Sequence, residues 1–556
     1  MRNYIANLLI RHKKALTIIY LFWGSYFVIL FSKIISFRSD GIWVGHVNVW
    51  SDWALHISIA NTFALKPLSF WFSFNPLYAG GKATYPFAMD AISGILMRLG
   101  LSLENSFIFP SIILSLLLIA GVYFLGYLLL KSKASAVISV FIFFLTPSLG
   151  FIKYLINLFN SSSFFTSLYP TIEYSRFDKY DWFSGHIITG LLIPQRAFLM
   201  GITITVWIII GLIYVLSREK LKENNKNKIL LISGIFAGIL PITHPHSFIV
   251  LIIVSIFICF TFIKKWKNLL WYAIPATIIS SILFYIFIYG GIENSSFASW
   301  YPGWSAKEGG IWQWLIMWFW LSSISIPLAI LGWFLVIRDK ISHSFFGAML
   351  FVFIIANLFL FQPIRWDNSK LFFWSFLGFA YLGSASIYWF WKNNKYLYKI
   401  IAIILLFSIT ATGTLEVIRL QNTKANGHVI TNYDDINLGK EIYLNTDQSA
   451  IFLTAPTHNH FIMVWGLRQI LMGYTAWVWN FGFLHNEREK DIKVMYLGNE
   501  RTEELLRKYQ ISYVVIGPSE RHDLKANENY FSSRFPLAFK NLDNNVYDVR
   551  DTKTLR

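Results

Sequence analysis

The stretch Ala15–Ile35, ALTIIYLFWGSYFVILFSKII, decides the class of fold. Its only charged residue is Lys33, and it is long enough to cross a bilayer as a helix, which takes about 20 mostly apolar residues. It is too long for the apolar core of a signal peptide and lacks a small-residue cleavage site, so we interpret it as a retained span. Arg11, Lys13 and Lys14 precede it, which predicts a cytoplasmic N-terminus.

The composition extends this interpretation to most of the chain. Its 556 residues are 55% hydrophobic, 18% aromatic and only 14% charged, whereas soluble domains are about 25% charged. We predict an α-helical polytopic membrane protein with about eleven spans. They lie at residues 15–35, 107–130, 134–152, 193–216, 229–243, 247–263, 268–289, 313–337, 345–361, 371–391 and 400–418.

The net charge of +18 is concentrated in the apolar part, with +17 in residues 1–418 and +1 in residues 419–556. The basic residues cluster in short connections between spans, as at residues 131–133, 218–228, 264–267, 338–340 and 392–399. The positive-inside rule makes these connections cytoplasmic, so the charge does not indicate nucleic-acid binding. The predicted location is the cytoplasmic (inner) membrane of a bacterium, with the C-terminal region outside the cytoplasm.

The single cysteine, Cys259, excludes a disulfide framework or a cysteine metal site within one chain. We predict a transmembrane domain over residues 1–419 with a long first outer loop at 36–106, and an extracytoplasmic α/β domain over 420–556. In the latter, residues 450–454 and 512–517 read as buried strands, and 500–508 as a helix. The apolar stretch Tyr85–Leu99 would break the charge pattern if it crossed, so we interpret it as half-buried or re-entrant.

The first outer loop holds the leading catalytic candidates, Asp52 and His56. A carboxylate and an imidazole four residues apart share one face of a helix. On the outer surface of a membrane protein this pair suggests chemistry. The alternative is structural, since Ser51 or Asp52 is also a suitable helix N-cap.

The later outer connections add further candidates, each with two interpretations. His244-Pro245-His246 is compatible with a helix break, with phosphate binding or with a metal ligand pair. Arg365-Trp366-Asp367-Asn368, followed by Lys370, is either a turn with a helix cap or an anion site. Residues 173–181 form either a solvated charged loop or a substrate contact. Tryptophans at 300–304 belong either to the interfacial belt or to a sugar-stacking surface.

Together these features resemble the GT-C superfamily of multi-spanning glycosyltransferases. The resemblance rests on Asp52 shortly after the first span, the long first loop, the number of spans and the soluble region after the last span. Four short motifs strengthen the resemblance: Ser-Asp-Trp-Ala-Leu-His at 51–56, Pro-Gln-Arg at 194–196, His-Pro-His-Ser-Phe at 244–248 and Trp-Asp-Asn-Ser-Lys at 366–370. The chain lacks a Trp-Trp-Asp motif in its C-terminal region and an Asp-X-Asp in its first loop, so protein N-glycosylation is not implied.

The resemblance implies transfer of a hexose or pentose from a polyprenyl-phosphate-type donor to an extracytoplasmic glycan, lipid or protein. Asp52 would be the base, with His56 beside it, and cations would stabilise the leaving phosphate. The expected substrate-binding residues are Arg365, Lys370, Asp367, Asn368, Arg196, Gln195, His244, His246, Tyr85 and Trp304. Asp367 would orient Arg365.

No cofactor is required by this interpretation, although a divalent metal ion at His244 and His246 stays open. The expected partners are the lipid bilayer, the lipid-linked donor and the acceptor, with no nucleic acid. Two other classes remain, a non-catalytic protein of cell-envelope polysaccharide assembly and a transporter or flippase for a lipid-linked substrate. A transporter would place ionisable residues at the bilayer midplane and show paired repeats, whereas the assembly protein would not need Asp52.

Overall fold

A computed structural model describes residues 2–218, 221–291 and 298–553. The predicted basic connection at 218–228 includes residues 219 and 220, which lie outside the described residues. The chain divides into two compact units, and both combine segments that are distant in sequence. The first unit contains residues 1–33, 108–284 and 298–425, and the second contains residues 34–107, 285–297 and 426–556.

The long apolar helices confirm the predicted fold class of a multi-pass helical membrane protein. By length and composition, eight helices of the described chain are able to cross a membrane. They are Ile10–Ile34, Leu103–Leu130, Arg196–Leu216, Glu223–Thr243, Ile263–Phe287, Lys340–Leu358, Arg365–Trp391 and Tyr396–Leu420.

Three of the predicted spans have a less regular form. Lys133–Leu145 with Gly150–Phe159, and Trp304–Ser322 with Ser325–Val336, are helix pairs bent by 64° and 86°. Pro245–Thr261 is apolar but only 17 residues long. Every predicted span therefore coincides with an apolar helix or a bent pair, although only eight to ten satisfy the length and composition requirements for crossing.

Small residues allow the helices of the first unit to approach closely. Gly413, in helix Tyr396–Leu420, lies against the backbone of Leu145, and a Cβ added at Gly413 would lie only 1.4 Å from that carbonyl oxygen. Small residues at such crossings let helix backbones pack where a larger side chain would separate them. A short pairing of Ser299–Trp300 with Phe359–Leu360 joins two of the connections in this unit.

The second unit is built on two sheets. The larger has the strand order Gln469–Ile470, Ile451–Leu453, Ile511–Ile516, Asn545–Asp548, Leu537–Lys540. Its first three strands are parallel, and the last two are antiparallel additions. The predicted strands at 450–454 and 512–517 form neighbours in this sheet, and the predicted helix at 500–508 is observed at Thr502–Lys508.

The first outer loop belongs to this second unit, and its main chain pairs with that of the C-terminal residues. Strands Ile35–Arg38 and Gly41–Val44 form an antiparallel sheet with His428–Asn432. Further along, the main chain at residues 76–79 pairs with that at 470–473. The predicted division at residue 419 stays a prediction, but the loop and the C-terminal residues share one compact unit.

Two helices of this loop carry the candidate catalytic residues. Val47–Leu65 packs against Ala88–Arg98, which occupies the predicted half-buried stretch 85–99. The second helix has only 11 residues, so it extends about 16 Å and is too short to cross a hydrocarbon core of about 30 Å.

A buried cation follows the first of these helices. Lys66 is fully buried, and its Nζ lies 4.8 Å and 4.1 Å from the ring centroids of Phe70 and Phe74. Its Nζ makes no hydrogen bond within the part of the chain that the structure describes. Burial, reinforced by the positive charge of Arg468, lowers the pKa of Lys66 from its ordinary 10.5 to about 8.

Membrane topology is testable at lysines that the structure places on the surface. In a Cys259→Ser background, we expect cysteines at Lys179 and Lys307 to react with an impermeant maleimide added outside intact cells. Cysteines at Lys228 and Lys395 should react only after the membrane is opened, since the positive-inside rule places them in the cytoplasm. Labelling of Lys228→Cys from outside would contradict the topology.

Lys66→Met should raise the melting temperature at pH 7. The pKa of Lys66 is lower in the folded protein than in the unfolded chain, so the free energy of unfolding falls as the pH drops from about 10.5 to about 8. Below that range Lys66 is charged in both states, and the full cost of burying its charge persists. The shift corresponds to a stability gain on the order of 3 kcal/mol at pH 7, which should shrink at pH 10. Thermal unfolding in detergent at both pH values measures this effect. Lys82→Met changes an exposed lysine and is the control. A melting temperature that is unchanged at pH 7 would contradict the prediction.

Candidate active site

Asp52 lies on the helix Val47–Leu65 as its sixth residue and is half-exposed. The helix is capped by His46, whose ring accepts a hydrogen bond from the Asn48 N–H at 3.2 Å. The N-cap interpretation of Asp52 is therefore wrong, because another residue performs that role. Ser51 Oγ lies 3.4 Å from Asp52 Oδ1, within reach to donate a weak hydrogen bond to it.

His56 shares the helix face of Asp52, one turn further on, but it is buried. Its Nδ1 lies 2.8 Å from Oδ2 of Asp90, which is buried as well. Asp90 comes from the helix Ala88–Arg98 and was not among the candidate site residues. A carboxylate that contacts one ring nitrogen fixes the orientation and tautomer of the imidazole. The structure therefore places His56 in a buried pair with Asp90, one helical turn after Asp52.

Tyr85, one of the expected substrate-binding residues, lies beside this pair. Its ring centroid is 5.8 Å from that of His56 and 4.7 Å from that of Phe481, which comes from the C-terminal part of the chain. The aromatic segment around residue 480 thus contacts the first loop within the second unit.

The candidates at 362–370 form two separate clusters in the first unit. Arg365 pairs with Asp181, with Nη2 3.0 Å from Oδ2, and its side chain is 42% exposed. Ser305 Oγ donates to the same carboxylate at 3.1 Å. The expectation that Asp367 orients Arg365 is wrong, because Asp181 of the second outer connection holds the guanidinium.

Asp367 instead contacts Lys370, with Oδ1 2.6 Å from Nζ. Gln362 Oε1 accepts a second hydrogen bond from the same ammonium at 3.3 Å. Both members of the ion pair are largely buried, with side chains 11% and 6% exposed. An ammonium has three N–H donors, and two of them are engaged by these side chains of the described chain.

Two candidates of this region have structural roles in place of contacts with a ligand. Asn368 is fully buried, and its amide bonds the main chain of Ala356, Phe359 and Phe361. Trp304 is also fully buried, and its Nε1 donates to the Arg365 carbonyl at 2.9 Å. These positions correct the expectations of an anion contact at Asn368 and a sugar-stacking surface at Trp304.

His244 is the N-cap of helix Pro245–Thr261, and its Nδ1 accepts the Ser247 N–H at 3.1 Å. In a neutral imidazole with an accepting Nδ1, the proton is on Nε2. Nε2 of His244 and Nε2 of His246 are both buried without a hydrogen-bond partner in the described chain. The two rings have centroids 5.5 Å apart.

Lys370 lies on the helix Ser369–Trp391, which contacts the turn that His244 caps. One turn further along its helix, Trp374 Nε1 donates to Ser247 Oγ at 3.3 Å, which fixes this helix against the capped turn. Phe198 packs edge-on against His244 at 5.1 Å. Arg196, fully buried, begins the same helix as Phe198, and Gln195 is its half-buried N-cap. Lys370, His244 and His246 are therefore gathered into one polar centre, with Arg196 at the start of an adjoining helix.

This centre does not fit a metal ion. Within residues 2–218, 221–291 and 298–553, no group of three or more His, Cys, Asp or Glu side chains is arranged to hold one. A metal would also need the lone pair of His244 Nε2, and supplying it would move the proton to Nδ1 and break the helix cap. The arrangement presents N–H donors, which suit an anion.

The charged loop 173–181 is divided between surface and interior. Arg176 and Asp178 pair at the surface, as expected for a solvated loop. Glu173, however, is largely buried beside Arg419, which also donates to the buried Glu416 at 2.9 Å. Glu416 was not among the candidate residues because it lies near the end of an apolar span. The only signal in the sequence is that it is the single acidic residue of that span.

Comparisons with known proteins identify the fold. No protein-family model matches the chain, and no curated protein sequence does. The archaeal oligosaccharyltransferase AglB from Archaeoglobus fulgidus, in complex with an inhibitory peptide and a dolichol-phosphate, matches with a TM-score of 0.57 and 13% identity over 91% of this chain and 69% of that chain. ArnT from Cupriavidus metallidurans bound to undecaprenyl phosphate matches with a TM-score of 0.52 and 10% identity over 95% and 97%.

A third match is the mycobacterial arabinofuranosyltransferase AftD, with a TM-score of 0.51 and 12% identity over 89% of this chain and 41% of that chain. All three are membrane glycosyltransferases of the GT-C superfamily. The chain has the GT-C fold. The resemblance inferred from Asp52, the long first loop and the number of spans is thereby confirmed at the level of fold. A shared fold does not assign the roles of individual residues, which depend on the chemistry of the site.

Proposed function

We propose that the protein is a membrane glycosyltransferase that moves a sugar from a polyprenyl-phosphate-type donor to an extracytoplasmic acceptor in the bacterial inner membrane. The observation that carries the proposal is the centre formed by Lys370, His244 and His246, where the buried Nε2–H of His244 lacks a protein acceptor among the described residues and Nε2 of His246 is buried without a partner there. The GT-C fold supports it, since solved proteins of this fold were captured with dolichol-phosphate and undecaprenyl phosphate.

The leaving group of the proposed reaction is a lipid phosphate or diphosphate. When the bond between the anomeric carbon and the phosphate oxygen breaks, that oxygen keeps the electron pair and its negative charge increases. Donors already aimed at this charge stabilise the transition state without reorganisation. Lys370 would supply its third N–H, and His244 would supply Nε2–H. The buried Nε2–H of His244 also gains from the pairing, because a buried donor without an acceptor costs about 1–3 kcal/mol.

The base of the proposed reaction is Asp52. It would accept the proton of the acceptor hydroxyl while the oxygen attacks the anomeric carbon, which balances the charge that leaves with the phosphate. Its partial exposure suits contact with an acceptor from the aqueous side. His56 is buried and paired with Asp90, so we assign it a positioning role behind Asp52. The sugar transferred would be a hexose or a pentose.

Asp52→Asn should reduce transfer by roughly 10²–10⁴-fold, the usual effect of losing a general base. The amide has nearly the same shape, so folding and binding of polyprenyl phosphate should persist. Transfer of sugar from a membrane-extracted lipid donor pool measures the first effect, and melting temperature with and without polyprenyl phosphate measures the second. Full transfer activity in Asp52→Asn would reject Asp52 as the base, whereas absence of transfer by the unsubstituted protein would favour a non-catalytic assembly protein.

Lys370→Ala and Arg365→Ala form a matched pair for the leaving-group site. Loss of a charged hydrogen bond costs about 1.5–3 kcal/mol, so Lys370→Ala should weaken polyprenyl-phosphate binding by about 10- to 100-fold. Arg365 is held by Asp181 at the surface, so its removal should change binding by less than about threefold. Titration of each purified variant by tryptophan fluorescence, with melting temperature as the control for folding, decides between them. Equal effects of the two substitutions would contradict the assignment.

A further inference from the structure

A cavity of about 40 Å³ lies in the second unit, between the helix Val47–Leu65, the loop that follows it and Phe481. A water-sized group needs about 10–15 Å³ of such volume, so the cavity has room for roughly three heavy atoms. Its wall is mostly apolar and includes the aromatic side chains of Phe63, Trp71, Phe74, Tyr85, Phe87 and Phe481.

The cavity lies along the same helix as the proposed base. Leu55 and Ile59 line it, and they follow Asp52 by three and seven residues, which places all of them on the same face. With a rise of 1.5 Å per residue, the cavity begins roughly 5–10 Å from Asp52 along the helix axis. Tyr85 lines the cavity and also contacts His56. A sugar beside Asp52 would therefore have a substituent within reach of the cavity.

The polar atoms of the lining restrict what the cavity is able to bind. Thr62, Asn75 and Thr84 each donate to a main-chain carbonyl of the protein. Trp71 differs, because its indole Nε1 is buried and finds no acceptor among the residues that the structure describes. The lining thus combines aromatic side chains with a tryptophan whose N–H is unused in the described chain.

We infer that this cavity binds the N-acetyl group of the acceptor sugar, an inference that rests on the proposed transferase function. An acetyl group has three heavy atoms, which matches the volume. Its methyl group would contact the aromatic walls, and its carbonyl oxygen would accept the hydrogen bond from Trp71 Nε1. The end of a hydrocarbon chain would leave that donor unpaired, and an unsubstituted hydroxyl or amine would lose its hydration against aromatic carbon.

Saturation-transfer NMR with the detergent-solubilised full chain tests the inference directly, using N-acetylglucosamine, glucosamine and glucose as probes. We expect saturation of the acetyl methyl protons and no comparable signal from the other two sugars. Trp71→Phe keeps the aromatic body and removes the N–H, so it should weaken binding about fivefold, the effect of one neutral hydrogen bond. Trp43→Phe is the matched control, since the Trp43 N–H is paired with Asp40 outside the cavity.

Two further variants keep the result independent of folding and of catalysis. Ala83→Leu should fill the cavity and remove the signal without lowering the melting temperature. Asp52→Asn should keep the signal even where transfer is lost, so a failed transfer assay and a failed binding assay are distinguishable. Absence of an acetyl signal, or equal effects of Trp71→Phe and Trp43→Phe, overturns the inference. Binding of hexanol in place of the sugar, sensitive only to Ala83→Leu, would assign the cavity to a hydrocarbon chain.

Discussion

Most of the buried ionisable groups at the candidate sites are paired inside the protein, and this pairing organises the structure around those sites. In the first unit Lys370 is held by Asp367, and Arg419 is held by Glu416. In the second unit His56 is held by Asp90. Each pair includes a residue within one turn of a helix end, so satisfying the charge also fixes the geometry there. A charge removed from water without such a partner would cost several kcal/mol.

The apolar spans were predictable because their signal is local. A run of about 20 apolar residues is sufficient evidence for a spanning helix, whatever surrounds it. Residues 133–159 show the limit of this reasoning, since the same hydropathy describes a straight helix and one bent by 64°. The strands at 450–454 and 512–517 were predictable for a similar reason, because a short apolar run in a polar region has few other uses. Composition does not reveal that the first outer loop joins the C-terminal residues in one sheet, since that pairing connects residues almost 400 positions apart.

The candidate site was predictable in its residue types and less so in its partnerships. Asp367 was expected to hold Arg365, two positions away, but a spacing of three on a helical turn favours Lys370 instead. The true partner of Arg365, Asp181, comes from a different connection and has no signal in the neighbouring sequence. Trp304 illustrates the same difficulty, because a tryptophan in an outer connection suits both a surface and a core, and here Trp182 and Trp318 enclose it. Asp90 was missed because its significance depends on His56, 34 residues earlier.

Two buried polar atoms without a partner in the described chain, His244 Nε2 and Trp71 Nε1, indicate the chemistry of the ligands that we propose. The helix cap commits the Nδ1 lone pair of His244 and thereby leaves a proton on Nε2, so this nitrogen presents a donor to its surroundings. Trp71 Nε1 also acts only as a donor, since an indole nitrogen has no available lone pair. Both unpaired atoms suit acceptor ligands, a charged one beside Lys370 and a neutral one among aromatic rings. A metal ion would satisfy neither, whereas the proposed lipid phosphate and acylated sugar would satisfy one each. That division matches a reaction in which a phosphate leaves and a sugar hydroxyl attacks.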